Sequence, residues 1–507
     1  MVMNRSLLYI LLCACAGVLL FSCNTSGDAV PPKQDPDYPN LDKFQELVDA
    51  CNNWKSGGGA ATTGGQNAYA VYHVTSLEDK RPSVLVPGTF RHAVCQAGTR
   101  IVVFDVAGTI HLSGPLPIVN GNLSIFGQTA PGDGICIADY PVKIANTSNI
   151  IMQFIRIRMG DEKLTPEQAD AGDALFVENC TNVLIDHCSF SWSTDECVSC
   201  YGNENFTLQY CFITESLRRA KKDADGNYTI NHAFGGMWGG KNVTFHHNLL
   251  AHHDNRCPRF DHDYVNNKCY GPIDYVNNVV YNWGSNSSYG GESVSKSRCI
   301  NMINNYYKNG PASASSSKAR LLLMTSYCTN CVHDGIVTPG KYYIDGNYMY
   351  GSSTVTDDNW KGVTCDSKNK ITVTDYKVST PFAMNHELTK QTAEEAYGTV
   401  LAKSGCSLSR DDVDTRIVDE VQKGTVTYNS GSRGSKNGLI DTPMDVGGWP
   451  ELTGEKAEDS DEDGMPDAWE TKYGLDPFDE SDCTIKSLVS GFPNIEVYAQ
   501  SLVAEKY

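Results

Sequence analysis

The segment Asp459-Ser-Asp461-Glu-Asp463-Gly464-Met-Pro-Asp467-Ala-Trp-Glu470 puts side-chain oxygens at positions 1, 3, 5, 9 and 12 of a loop, with glycine at position 6. One sharply turning loop with that spacing can surround a hard divalent cation with oxygen ligands, calcium above all. Asp459, Asp461, Asp463, Asp467 and Glu470 are therefore candidate metal ligands, with Met465 offering a backbone carbonyl. The alternative is a solvated acidic turn. The expected role is structural, with a short helix following.

A second acidic group comprises Asp170, Asp173, Asp186, Asp195 and Glu196. If the chain stacks in short rungs, residues one rung apart lie above one another. Carboxylates so placed either repel or share a cation; otherwise they are plain surface acids. A third group, Asn248-Leu-Leu-Ala-His-His-Asp254-Asn255-Arg256-Cys-Pro258-Arg259, sets two arginines just after an apolar run. Guanidinium forks beside metal-binding acids would suit a ligand that carries carboxylates; the plainer reading is pairing with Asp254 or Asp261. The glycine-rich stretch His232 to Lys241 lacks the Lys-Ser/Thr ending of a phosphate loop. Trp238 within it is either core or a sugar platform.

The elements that must position these residues are short and β-rich. Runs such as Asn149-Ile-Ile-Met-Gln-Phe-Ile155, Asn182-Val-Leu-Ile-Asp-His-Cys188, Val243-Thr-Phe-His-His-Asn248 and Met302-Ile-Asn-Asn305 share one pattern. Apolar residues alternate with polar ones, then Asn, Cys or His follows. Aligned ends at 155, 188, 211, 248, 278 and 305 are separated by 33, 23, 37, 30 and 27 residues. Repeats of this length mean a solenoid or an array, and a sandwich would show turns every 8–12 residues or so. The pattern predicts an all-β right-handed parallel β-helix over 44–373. Asn278 and Asn305 in it are a structural ladder. From about Thr374 helical spacing appears (Glu394, Glu395, Ala396, Val400; Val413, Ile417, Val421), predicting an extension, 374–507, that packs on the solenoid.

The chain has 507 residues, with 41 basic and 60 acidic side chains and a net charge of −19. That disfavours a nucleic-acid partner, which needs a basic face. Arg5 followed by the apolar run Leu7 to Phe21 reads as a signal peptide, residues 1–22. Leu20-Phe21-Ser22-Cys23 resembles a bacterial lipobox, so a lipid on Cys23 is expected to join the protein to a membrane through a linker, 23–43. An exported, anchored monomer follows, periplasmic, on the cell surface or released. Cys257 and Cys269 flank a loop and are candidates for a disulfide. The pairs Cys197/Cys200 and Cys328/Cys331 lie too far apart for a usual zinc ribbon.

Together these pieces resemble the bacterial pectate lyases of polysaccharide lyase family 1. The resemblance is carried by Arg100-Ile-Val-Val-Phe-Asp-Val-Ala-Gly-Thr-Ile110, Gly127-Gln-Thr-Ala-Pro-Gly-Asp133, Ile185-Asp-His-Cys-Ser-Phe-Ser-Trp192-Ser-Thr-Asp195-Glu196 and Asn255-Arg256-Cys-Pro258-Arg259. It implies a parallel β-helix that cleaves α-1,4-galacturonan (pectate, polygalacturonate) by β-elimination with Ca2+. It implies Arg256 as the base, Asp173 and Asp195 as calcium ligands, and Arg218 and Arg259 as substrate-binding residues. The family's third carboxylate falls on Ser199, so either Glu196 substitutes for it or the site binds calcium only with substrate present. Two other readings are a polygalacturonase-type hydrolase and a non-catalytic uronan-binding lipoprotein. The hydrolase needs two carboxyl groups across the bond, whereas Asp195 and Glu196, if both on a strand, would face opposite ways.

Overall fold

Each turn of the chain is three short strands separated by two tight bends and one variable loop. A computed structural model describes residues 38–80, 83–230, 232–260, 270–293, 296–328, 335–366 and 371–506. The signal segment, Cys23, most of the linker, Cys269 and Cys331 lie outside them. Rung pairing is parallel throughout: Thr181–Asp186 lies between Ser148–Gln153 and Glu196–Gln209, and Glu196–Gln209 lies beside Phe234–His246. Two faces form one continuous sheet. The third face is a separate sheet through Arg156–Arg158, Ser189–Ser191, Phe212–Thr214 and Leu249–Ala251. This is the parallel β-helix that the repeats imply.

Strand alternation sends one column inward. Met152, Ile185, Leu208, Phe245, Tyr275 and Met302 face one another in register and are fully buried. A buried polar ladder on the outward side of the same strands reproduces the rung spacings read from sequence: Gln153 to Asp186 is 33 residues, Asp186 to Gln209 is 23 and Gln209 to His246 is 37. At one bend Asn248, Asn278, Asn305, Asn347 and Asn359 form the ladder; the side-chain oxygen of each after Asn248 accepts from the backbone N–H of the Asn before it in the ladder, at 2.8–3.0 Å, and that of Asn248 accepts from the Cys211 N–H at 2.9 Å. The ladder satisfies backbone groups that the bend removes from the sheets. Beside it Phe154, His187, Tyr210 and His247 hold φ between 49° and 54°. That conformation is costly for such side chains, but their rings stack at 4.9, 4.9 and 4.7 Å.

The helices Ala393–Lys403 and Asp412–Lys423 cover the third face. Arg158, fully buried in that face, pairs with Asp411 at 2.7 Å and Asp414 at 2.9 Å. The helices Gln45–Asn52 and Asn494–Ala504 cover another flank, over Ile101, Val103, Phe126 and Ile151. No helix among the described residues is long and apolar enough to cross a membrane. Cys197, Cys200 and Cys257 are free, buried thiols, so the CxxC pair is core and Cys257 is not in a disulfide.

Candidate active site

A cleft of about 550 Å³ lies on the outer face of the large sheet. Its floor is a column set by register: Lys143 beside Phe176, Phe176 beside Ser199, Ser199 beside Met237, and Met237 beside Arg259. Alternation points these outward while Leu175, Val177 and Val198 fill the core.

At the cleft's edge three acids converge. One carboxylate oxygen each from Asp173, Asp195 and Glu196 lies within 4.8 Å of the other two. The expectation that Asp195 and Glu196 face opposite ways does not hold. The strand begins at Glu196, so Asp195 sits in the preceding turn and reaches the same cleft. Asp173 Oδ1 accepts from the Glu196 N–H at 3.2 Å. Asp195 Oδ1 is buried with no hydrogen bond, and His232 Nδ1 stands 3.6 Å away. Burial, then the Asp195 charge, push the Asp173 carboxyl well above its ordinary range. Burial raises Asp195 too, against the pull of His232 and Arg256. Three crowded carboxylates, one oxygen of them unpartnered, fit a hard divalent cation. Of the remaining acids in the sequence cluster, Asp170 pairs with Lys221 at 2.5 Å and Asp186 joins the outward polar ladder with Gln153 and Gln209.

Arg256 hangs over this triad. Its backbone is left-handed, φ 59°, and is held by Asn255 Oδ1 at 2.8 Å and by the Gly236 N–H on its carbonyl at 2.8 Å. A Cβ at Gly235 would stand 2.5 Å from that carbonyl, so the glycine is required for the approach. The guanidinium stacks 3.9 Å from the Phe234 ring centroid and pairs with Glu196. Arg259, also in the cleft, donates to Glu292 at 2.5 Å and lies over Tyr289. Arg218 is elsewhere: it pairs with Asp254 at 3.4 Å, and its backbone N–H donates to the Ile440 carbonyl. The cleft's further cation is Lys143, which the sequence reading missed. Trp238 stacks on Phe245 in the core and is no sugar platform.

The acidic loop closes as a second centre. Asp459, Asp461 and Asp463 form one close group, and Asp463 and Glu470 form another with Asp482, a residue outside the predicted set. Asp467 instead accepts from the Ser460 N–H and hydroxyl, both at 2.7 Å. Burial and mutual repulsion raise Asp463 and Glu470 to about 8 each.

No family model matches the chain. A probable pectate lyase C of Aspergillus terreus is 32% identical over 456 residues, covering 89% of this chain and 93% of its own. The probable pectate lyase C of Emericella nidulans is 32% identical over 459 residues, covering 89% and 92%. This chain belongs to the pectate lyase family. A solved structure of a pectate lyase bound to a hexasaccharide shares 14% identity, with 70% of this chain and 98% of that one covered and a TM-score of 0.46. The relatives named here are fungal, so the likeness is not confined to bacterial, lipid-anchored forms. In this pectate lyase Ser199, on the cleft floor, hydrogen-bonds Asp173.

Proposed function

We propose that this protein is a calcium-dependent polysaccharide lyase that cleaves α-1,4-galacturonan by β-elimination. The observation that carries the reading is the Arg256 guanidinium held at the Asp173, Asp195 and Glu196 triad inside one cleft. Asp173, Asp195 and Glu196 would hold the ion. When bound, calcium supplies positive charge beside the uronate carboxylate and offsets the charge that grows there as the proton leaves.

Arg256, acting as the neutral guanidine, takes the proton from C5 of the uronate and becomes the guanidinium. The C–H electron pair becomes the C4–C5 double bond, and the bond from C4 to the glycosidic oxygen breaks. That oxygen departs with a proton from solvent. Phe234 and Glu196 orient the base, and Arg259, fixed by Glu292, is placed to grip a neighbouring carboxylate. Lys143 extends the cationic wall along the column. Arg218, tied to Asp254, would reach substrate only by releasing that pair.

A hydrolase is disfavoured by geometry. The paired-carboxyl mechanism has no use for a guanidinium held at the acids, as Arg256 is here. We further propose export through residues 1–22, a lipid on Cys23, and a monomeric enzyme.

Mass spectrometry of fragments released from polygalacturonate tests the reaction class. Elimination leaves one fragment lighter by a water than its hydrolytic counterpart. Fragments carrying the full added water would overturn the reading.

A further inference from the structure

We infer that Asp482 is a ligand of the cation held by the 459–470 loop, so that one metal site fastens the C-terminal cap to the flank of the β-helix. This rests on reading the loop as a cation site and adds a ligand and a role to it. Six carboxylate oxygens there are buried with no hydrogen-bond partner: Asp459 Oδ1, Asp461 Oδ2, Asp463 Oδ2, both Oε atoms of Glu470, and Asp482 Oδ1. Asp463, Glu470 and Asp482 are 4%, 0% and 8% exposed. Unpaired acid oxygens at such burial are costly, and the cation that contacts the group, Lys456, reaches only Asp459, at 3.1 Å. An all-oxygen cage of this kind suits calcium.

The loop alone is one ligand short. Asp467 is turned to cap Ser460, and Asp482 brings an oxygen within 4.8 Å of those of Asp463 and Glu470. Asp482 is held in place by its own segment. Its Oδ2 accepts from the Asp476 N–H at 3.3 Å, and its carbonyl accepts from Asn494 Nδ2 at 3.0 Å. Asn494 opens the helix that buries Ile495, Val497 and Ala499 against Ile101, Val103 and Ile151. Gln500 of that helix donates to Gln153 of the outward polar ladder at 2.7 Å. A cation shared by Asp463, Glu470 and Asp482 therefore cross-links the loop to the helix that covers the solenoid.

Terbium(III) replaces calcium in oxygen cages, and Trp469, next to Glu470, serves as its sensitiser. The titration is run on the whole metal-free protein carrying Asp173→Asn, which removes the cleft site from the signal. Tryptophan-sensitised emission that calcium displaces is expected. Asp482→Asn should weaken terbium binding roughly tenfold or more and abolish the calcium-induced rise in Tm, while Asp467→Asn changes neither beyond about twofold. Far-ultraviolet circular dichroism confirms that each variant is folded, and Asp482→Glu, which keeps the charge, should bind more tightly than Asp482→Asn. Binding that falls with Asp463→Asn but ignores Asp482→Asn would overturn the tie and leave the loop reading standing. Emission indifferent to Asp463→Asn would overturn both.

Discussion

Glu196 has two partners that compete for it. It belongs to the carboxylate triad and it also pairs with Arg256. The pair ties the guanidinium to Glu196 and so opposes the use of Arg256 as a base. A cation that engages Glu196 weakens that opposition, which is a residue-level reason for a metal requirement. Arg256→Lys should lower kcat about 10²–10⁴-fold while KM stays within a few-fold, read from initial rates, because the loss lies in proton transfer rather than binding. Ser199→Asp should add a fourth carboxylate beside Asp173 and lower the calcium concentration that gives half-maximal rate; an unchanged calcium requirement would place residue 199 outside the metal's reach. Arg256, Asp173, Asp195 and Glu196 were legible because they sit in short motifs of fixed spacing. Lys143 was not. It enters the cleft only through register with Phe176, and the variable loops between rungs hide register from the sequence. Asp482 was hidden likewise, because it lies past the end of the loop pattern.

Among the elements, the bends carry the repeat. Asn278 Oδ1 accepts from both nitrogens of Asn248 at 3.0 Å, and Asn278 Nδ2 donates to the Phe245 carbonyl at 2.9 Å and to Asn305. Asn278→Leu should cost about 1–3 kcal/mol for each buried group left unpaired, measured by chemical denaturation. Unchanged stability would contradict a structural ladder. The helix Asp412–Lys423 is fixed by a buried ionic contact as well as by its apolar stripe. Glu420 lies 3.1 Å from His252 and 3.2 Å from Arg416. Burial would raise its pKa, but the His252 hydrogen bond and these charges win and hold it at about 2. The folded value is below the unfolded one of about 4.3. The pair's stabilisation is therefore present above pH 4.3 or so and is lost as pH falls toward about 2. Glu420→Gln should lower stability at neutral pH by about 3 kcal/mol and flatten the acid limb between those values, in thermal melts across a pH series. The sequence showed this helix by its 3.6-residue spacing, and Arg416 lies one turn before Glu420 on it, but it did not show His252, which comes from a rung more than a hundred residues earlier.

At the scale of the whole molecule, the solenoid supplies a long face on which residues from separate rungs meet, and the cap helices seal its flanks. The rung spacings of 33, 23, 37, 30 and 27 residues recur in the ladder contacts, so the architecture was readable from a pattern with no constant period. A chain of net charge −19 does not draw a polyanion from a distance. Screening confines that repulsion to about 8–10 Å at ordinary salt, and the local cations of the cleft decide binding. The most direct test of that local arrangement is the ultraviolet absorbance of unsaturated product during incubation with polygalacturonate, with and without a calcium chelator, for the wild type and Arg256→Ala. The account predicts a rise that needs calcium and that Arg256→Ala abolishes while the variant still binds calcium. A rise that persists in Arg256→Ala, or that ignores the chelator, would contradict it.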